Sequence, residues 1–231
     1  MLPPLRCVVG PTGSGKSRVA FRVAAREGAI LLSVDAMQVY RGLDIGTAKA
    51  GAVERAQVRH EGIDLIEASG SMSAGTFSDH VHPLLDEAAV AGVPVVAAGG
   101  SGLYLRAIVR GLGPQVPADP TLRASLHQEE ADRPGALRDR LAVLDPRSHL
   151  RLHPNDRVRI ERAVEVALLT GRPLSLWLDE HQQSPSRHPA VFVGLRWSRD
   201  ALRARIEARL AAMWEVGWVD EVLGLIGTFT G

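Results

Sequence analysis

The sequence is poor in cysteine, in long apolar runs and in net charge, and each shortage excludes a class of protein. Its one cysteine, Cys7, excludes a disulfide framework and gives no sign of an oxidising compartment. No apolar stretch approaches the roughly 20 residues that span a bilayer. The first ten residues, MLPPLRCVVG, lack the pattern of a secretory signal. We therefore expect a cytoplasmic protein that does not contact a membrane.

The net charge of +1 excludes a global field that would draw the whole molecule towards nucleic acid. Any basic surface for such a partner must therefore be local. The composition, 45% hydrophobic and 23% charged over 231 residues, is that of a globular protein with a substantial core. This length suits one large domain, or one domain that carries a smaller one.

Short apolar runs alternate with helical patterns through the first half of the chain. We predict buried strands at 5–9, 29–34 and 93–98, a weaker strand at 63–66, and helices at 16–27 and 77–91. Strands that are apolar on both faces and alternate with helices indicate an α/β fold, with a mainly parallel sheet and helices on both of its faces.

The turn GPTGSGKS at 10–17 fits the pattern G-x-x-x-x-G-K-[ST], with a predicted strand before it and a helix after it. Most chains with this turn hold ATP or GTP. Its glycines let backbone N–H groups converge on a phosphate, Lys16 adds a point charge, and Ser17 can ligate Mg²⁺. The predicted diphosphate- or nucleotide-binding residues of the turn are Gly10, Pro11, Thr12, Gly13, Ser14, Gly15, Lys16 and Ser17.

The residues at strand ends narrow the range of possible functions. In ATP- and GTP-hydrolysing P-loop proteins an apolar strand commonly ends in an Asp that helps to hold Mg²⁺, whereas the strand at 93–98 ends in Gly-Gly-Ser. This disfavours a motor or switch protein and leaves small kinases open. Asp35 and Asp64 are the acids at strand ends. Asp35 lies where open α/β sheets bind ligands, although it is equally suited to cap a following short helix.

The second half has a different pattern. From 114 to 189 prolines separate short helical segments, and we predict helices at 122–130, 137–144 and 156–170. A strand at 191–195 and a long helix from about Arg199 follow. We therefore predict a P-loop NTPase-like core in two parts, 1–113 and 190–231, interrupted by a helical insertion at 114–189.

Four motifs together resemble the tRNA dimethylallyltransferases, also called tRNA isopentenyltransferases. They are GPTGSGKS (10–17), SVDAMQVYRGLDIGTAK (33–49), GGSGLYLRA (99–107) and RLHPNDRVRIERAVEV (151–166). They occur in the family's order and at compatible spacing, and the resemblance runs from residue 5 to about residue 225.

The resemblance implies transfer of a dimethylallyl group from dimethylallyl diphosphate to N6 of adenosine 37, beside the tRNA anticodon. The phosphate turn would then hold the prenyl donor together with Mg²⁺. The resemblance implies catalytic roles for Asp35, Ser101 and Lys16. Asp35 is the expected general base, because the adenine amine must lose a proton as it attacks. Ser101 stands where Thr is usual in the family, and its hydroxyl preserves the contact.

The resemblance also implies residues that contact tRNA, namely Asp35, Ala36, Met37, Gln38, Ser101, Arg123, Arg159 and Arg162. The alternative for the last two is a solvated helix face that pairs with Glu161 and Glu165. Arg205 and Arg209 are four residues apart on the predicted last helix and could reach the diphosphate. The alternative to diphosphate binding for these two arginines is, again, that they lie on a solvated helix face.

Family members continue beyond the end of this sequence with further tRNA-contacting segments. We therefore expect the catalytic motifs to be present and part of the RNA-binding surface to be missing. Other functions remain open at this point: an impaired remnant that still binds diphosphate or tRNA, an adenylate prenyltransferase, or a small P-loop kinase. We expect a monomer.

Overall fold

The computed structural model describes residues 4–113 and 116–229. The chain forms two compact units, which we call unit 1 (Met1–Gly111 with Ser186–Gly231) and unit 2 (Leu112–Pro185). Pro114, where the helical insertion was predicted to begin, lies outside the described residues. No helix in the described ranges is long and apolar enough to cross a membrane.

Unit 1 is built on a five-stranded sheet in the order β3-β2-β4-β1-β5. The strands are β1 (Leu5–Val9), β2 (Ile30–Val34), β3 (His60–Glu61), β4 (Val95–Gly99) and β5 (Ala190–Gly194). Every pairing in this sheet is parallel. The predicted α/β fold with a parallel sheet is therefore confirmed.

The helices follow the strands in chain order. They are α1 (Lys16–Glu27), α2 (Ala52–Gln57), α3 (Ala74–Val90), α4 (Gly102–Arg110), α5 (Pro120–Asp132), α6 (Ala136–Leu144), α7 (Pro146–Arg151), α8 (Arg157–Thr170), α9 (Leu174–Gln183), α10 (Arg199–Glu215) and α11 (Trp218–Phe229). Helices α5 to α9 belong to unit 2, and the others belong to unit 1.

One core cluster of unit 1 forms where the small face of α1 meets the sheet. Ala20 and Ala24 of α1 are fully buried against Leu31, Val96 and other apolar residues of the central strands. Alanines allow this helix to lie close to the sheet, so the turn that precedes α1 is fixed over the carboxyl end of β1.

The prediction of a strand at 63–66 was wrong. The strand beside β2 is instead the short β3, and Ile66 forms only an isolated bridge with Tyr40. The backbone explains this, because Gly62 and Asp64 have φ angles of 77° and 55°, which an extended strand does not allow.

Unit 2 is helical and has its own core, and the predicted helices correspond to α5, α6 and α8. The core side chains come from these three helices and the segment after α7: Leu126, Leu137, Leu141, Leu152, Ile160, Ala163 and Val164. Asp119 and Asp145 cap α5 and α7 by accepting backbone N–H groups.

Candidate active site

The phosphate turn lies between β1 and α1, as its sequence predicts. Gly13 and Gly15 have φ angles of 79° and 86°, a left-handed conformation that glycine adopts without strain. The N–H of Ser14 donates to the carbonyl of Pro11 at 3.2 Å and closes the turn. The amino end of α1 therefore faces the turn, and its unpaired N–H groups form a site for an anion.

Beside the turn lies a cleft of about 660 Å³ with a strongly basic lining. Lys16, Ser17, Arg205 and Arg209, all predicted to bind the diphosphate or its metal ion, line this cleft. Arg18 and Arg22 of α1 also line it and were not predicted. Their spacing of four residues, directly after Lys16, is a signal that could have identified them. An anion of high charge density fits this lining.

Lys16 connects the cleft to Asp35. Burial lowers the pKa of the Lys16 ammonium; the negative charge of Asp35 opposes this effect, and the positive charge of Arg209 adds to it. Gly100, after β4, is also close, because a Cβ at that position would lie 3.7 Å from Lys16 Nζ. The ends of β1, β2 and β4 thus bring together the lysine, the carboxylate and a glycine.

Asp35 follows β2 and holds a turn, not a helix. Its Oδ1 accepts the N–H of Met37 at 2.9 Å, and the hydroxyl of Ser101 accepts the N–H of Ala36 at 3.1 Å. Ser101 thereby ties this turn to the end of β4. The close approach depends on Gly99, where a side chain would collide with the carbonyl of Val34. The structure therefore brings Asp35 and Ser101 together, and the glycine pair in GGSG is the signal for that proximity.

The remaining members of the segment have different environments. Met37 is 51% exposed and available to a ligand. Gln38 is buried, accepts a hydrogen bond from the hydroxyl of Ser33, and donates to the carbonyls of Thr47 and Ala48. Gln38 thus holds the following loop in place, and this role was not predicted from the sequence.

Helix α10 packs on the phosphate turn. Arg205 donates from Nε to the carbonyl of Gly13 at 2.8 Å, and its guanidinium lies 4.4 Å from the ring centre of Trp197. The indole N–H of Trp197 donates to the carbonyl of Ser14 at 3.0 Å. Ile206 fills the space where a Cβ of Gly13 would lie. Part of Arg205 is therefore used to hold the turn, with the remaining N–H groups directed to the cleft it lines.

Two of the three predicted tRNA-contacting arginines of unit 2 bind a buried carboxylate. Glu165 is fully buried and accepts hydrogen bonds from Arg123, from Arg162 and from the N–H of Asp119. Burial alone would raise the pKa of Glu165, but these hydrogen bonds outweigh burial and lower it to about 2. The side chains of Arg123 and Arg162 nevertheless stay 40% and 31% exposed.

Arg159 does not join this cluster. It pairs with Asp156 at 2.8 Å and has a side chain that is 75% exposed. The three arginines therefore belong to one unit, and only two of them share a partner.

Asp64, the other acid near a strand end, is engaged in ion pairs. It accepts hydrogen bonds from Lys49 and Arg55, both at 2.7 Å. Burial would raise the pKa of Asp64, and these two cations lower it below its ordinary value. The described part of the chain contains no cluster of three or more His, Cys, Asp or Glu side chains that could hold a metal ion.

Comparison with known sequences agrees with this geometry. The family model described as IPP transferase matches residues 38–230. A relative named tRNA dimethylallyltransferase, from Geobacter sulfurreducens, is 40% identical over 220 residues. The match covers 95% of this chain and 71% of the relative.

Solved structures have the same fold. The chain resembles the full-length tRNA isopentenylpyrophosphate transferase from Bacillus halodurans with a TM-score of 0.65 and 35% identity, over 97% of this chain and 70% of that one. A eukaryotic dimethylallyltransferase acting on tRNA matches with a TM-score of 0.83 over 97% of this chain and 56% of its own. At 24% identity this second likeness supports the fold alone.

Proposed function

The chain belongs to the IPP transferase family, and from this membership we propose that it is a tRNA dimethylallyltransferase. It transfers a dimethylallyl group from dimethylallyl diphosphate to N6 of adenosine 37, next to the anticodon, and releases diphosphate. The family predicted from the four sequence motifs is thus confirmed, and the reaction is that of its named relatives.

One observation carries the proposal: the parallel strands β1 and β2, which both pair with β4, place the phosphate turn and Asp35 at the same edge of the sheet. Lys16 lines the basic cleft and lies within the electrostatic influence of Asp35. Alkylation of an amine by a prenyl diphosphate needs both a phosphate cradle and a proton acceptor beside it. Asp35, which follows β2 and is held by the Met37 N–H, supplies that acceptor.

The reaction follows from these positions. The N6 nitrogen of adenine attacks C1 of the dimethylallyl group, and the bond between C1 and the diphosphate oxygen breaks. The carboxylate of Asp35 takes the proton that N6 loses. The departing diphosphate gains negative charge, which the N–H groups at the start of α1 and Lys16 stabilise. Arg205 and Arg209 line the same cleft and add to this positive field.

Mg²⁺ is the cofactor that suits this leaving group. Ser17 is on the first turn of α1 and lines the cleft, and its hydroxyl is the hard oxygen ligand that Mg²⁺ prefers. Since Mg²⁺ keeps several waters and binds through substrate phosphates, it does not need a cluster of acidic side chains. When bound, it would neutralise charge on the diphosphate.

The tRNA would be recognised by two sets of residues. In unit 1 these are Asp35, Ala36, Met37 and Ser101, with the exposed Met37 as the side chain most open to a base, while the buried Gln38, also predicted to contact tRNA, supports them from inside the protein. In unit 2 the exposed guanidinium faces of Arg123, Arg159 and Arg162 suit RNA phosphates. We propose further that the chain acts as a monomer in the cytoplasm.

The test is transfer of label from dimethylallyl diphosphate in the presence of Mg²⁺. One reaction contains an anticodon stem-loop with adenosine 37, and a parallel reaction contains AMP. We expect label on the RNA alone. Label on AMP alone would identify an adenylate prenyltransferase, and label on neither, from folded protein, would contradict the proposed activity of this chain.

A further inference from the structure

Glu221 of α11 is bound to three consecutive backbone amides of a distant loop. Its Oε2 accepts the N–H groups of Asp44 and Ile45 at 2.8 and 2.6 Å, and its Oε1 accepts that of Gly46 at 3.0 Å. A run of converging N–H groups is an anion site. Here the chain supplies the anion itself, from 175 to 177 residues further along.

The rest of α11 fits the same loop. A side chain at Gly46 would collide with the indole of Trp218, so glycine permits close contact between helix and loop. Gly42 has a φ angle of 75°, and a Cβ there would lie 3.2 Å from Leu225. The contact of α11 with residues 42–46 is therefore specific in shape and in charge.

The loop 42–49 in turn supports the candidate active site. Gln38, three residues after Asp35, donates to the carbonyls of Thr47 and Ala48 at 3.0 and 3.2 Å. Ala48 also lines the phosphate cleft and has a φ angle of 51°, which a residue with a side chain adopts only when its surroundings hold it. The loop thus contributes one residue, Ala48, to the cleft wall and supports the Asp35 turn through Gln38.

We propose that Glu221 is a positioning residue for the transfer reaction. It holds loop 42–49 through three amides, and the loop holds Gln38, which fixes the turn that presents Asp35. This inference rests on the proposed function, since it concerns how the base is placed. Glu221 itself touches neither the cleft lining nor Asp35, so its effect is indirect.

The test compares E221Q with D220N. Glutamine keeps the size of the side chain but has one acceptor oxygen, and its amide N–H₂ would face a backbone N–H donor. Asp220 is the exposed neighbour on the same helix, so D220N removes the same charge without touching the loop. Three quantities are measured: kcat for transfer to the stem-loop, the affinity for inorganic diphosphate, and hydrogen exchange of the amides of residues 44–46.

We expect E221Q to lower kcat about ten- to hundredfold, because small displacements of a catalytic group have effects of that size. Diphosphate affinity should stay within about twofold, since the turn and Lys16 are held by β1 and α1. Exchange at residues 44–46 should accelerate at least about tenfold, whereas amides in α1 keep their wild-type rates. D220N should match the wild type in all three.

An unchanged kcat in E221Q, or unchanged exchange at residues 44–46, would overturn the proposal. So would a parallel loss of kcat, diphosphate affinity and melting temperature, which would indicate general unfolding. An inactive wild-type chain would overturn the proposed function and with it the role in transfer. In that case faster exchange in E221Q would still support the contact between α11 and the loop.

The variant G46A displaces loop 42–49 from α11 by a different change. The added methyl group pushes against Trp218 and leaves the carboxylate of Glu221 unchanged. We expect the same pattern as in E221Q, with lower kcat and retained diphosphate affinity. Wild-type kcat in G46A would count against control of the site through this loop.

Discussion

At the scale of single residues, Asp35 has the most demanding task. In the proposed reaction it accepts a proton beside a cluster of cations, so its carboxylate must not be occupied by an ion pair with one of them. Its hydrogen bond to the Met37 N–H orients the carboxylate, and the ion pairs of this region are formed instead by Asp64 with Lys49 and Arg55. The two acids near strand ends therefore differ in their surroundings: Asp64 is paired with two cations, and Asp35 is the one that the proposed reaction uses as its base.

The variant D35N tests this division. Asparagine can keep the hydrogen bond from Met37 but cannot accept the proton, so we expect turnover to fall by about 10²–10⁴. Diphosphate affinity should not fall, because the phosphate turn is intact. D86N, which removes an exposed carboxylate on α3, is the matched control for loss of an acid and should keep the wild-type turnover. Turnover at the wild-type rate in D35N would remove the assignment of Asp35 as the base.

Lys16 is expected to act mainly on binding. Loss of its ammonium in K16A should weaken inorganic diphosphate binding by about 10–100-fold, as hydrogen bonds to charged groups are worth about 1.5–3 kcal/mol. Isothermal titration calorimetry measures this directly. R26A, at the exposed far end of the same helix, should bind like the wild type. Equal affinities of K16A and R26A would argue against a phosphate site at this turn.

At the scale of elements, α10 is the support of the phosphate turn. It is joined to the turn by Arg205 on the Gly13 carbonyl, by Ile206 against Gly13, and by Trp197 before it. The sequence indicated that Arg205 could reach a diphosphate, but it could not show that one side of this guanidinium holds the turn. That contact joins residues 192 positions apart and leaves no periodic signal.

Variants of Trp197 distinguish its hydrogen bond to the phosphate turn from its cation–π contact with Arg205. W197F keeps a ring beneath Arg205 and loses the N–H bond to the Ser14 carbonyl, so diphosphate affinity should fall about threefold. W197A also loses the cation–π contact and should lower affinity about tenfold. W214F, at a residue of α10 that is 63% exposed, is the control. If both Trp197 variants bind as tightly as W214F, α10 does not support the turn.

The strands and helices also show which parts of the fold a sequence pattern can predict. The strands β1, β2 and β4 and the helices α1 and α8 were predicted because each has a local signal: an apolar run, a glycine turn, a cap. The false strand at 63–66 is apolar enough, but Gly62 and Asp64 take left-handed conformations that only the folded chain reveals. The partners of Glu221 and Glu165 could not be predicted either, since they depend on contacts between separate elements.

In unit 2, Glu165 makes stability depend on pH. Its folded pKa of about 2 is below its ordinary value of 4.5, so its contribution is complete above about pH 4.5 and is lost as the pH falls towards 2. The difference corresponds to about 3 kcal/mol. Thermal melts followed by circular dichroism should show this loss in the wild type. E165Q should be less stable at neutral pH and vary less between pH 4.5 and 2.

The control for this prediction is E129Q, which removes a surface carboxylate that pairs with Arg140 in the same unit. It should retain the acid dependence of the wild type, because exposed ion pairs contribute little. A wild type and an E165Q variant with the same pH dependence would show that Glu165 does not control acid stability.

At the scale of the whole molecule, the two units carry different parts of the machinery that the proposed reaction requires. Unit 1 carries the phosphate turn, the basic cleft and Asp35, to which the proposed reaction assigns diphosphate binding and proton transfer. Unit 2 carries Arg123 and Arg162, whose side chains stay 40% and 31% exposed although both bind Glu165. For Arg162 the pairing with Glu165 that the sequence offered as an alternative is present, and its other terminal nitrogen donates to the carbonyl of Val116 at 2.6 Å. Arg159, with a side chain that is 75% exposed, is the most exposed of the three predicted tRNA-contacting arginines.

The measurement that tests this account most directly identifies the atom that receives the prenyl group. Wild-type protein, Mg²⁺ and labelled dimethylallyl diphosphate are incubated with two stem-loops, one with adenosine at position 37 and one with inosine, which lacks the exocyclic amine. The RNA is then digested and its nucleosides are analysed by mass spectrometry. The account predicts N6-dimethylallyladenosine from the first RNA and no labelled nucleoside from the second. Equal labelling of both RNAs, or none of either by folded protein, would contradict it.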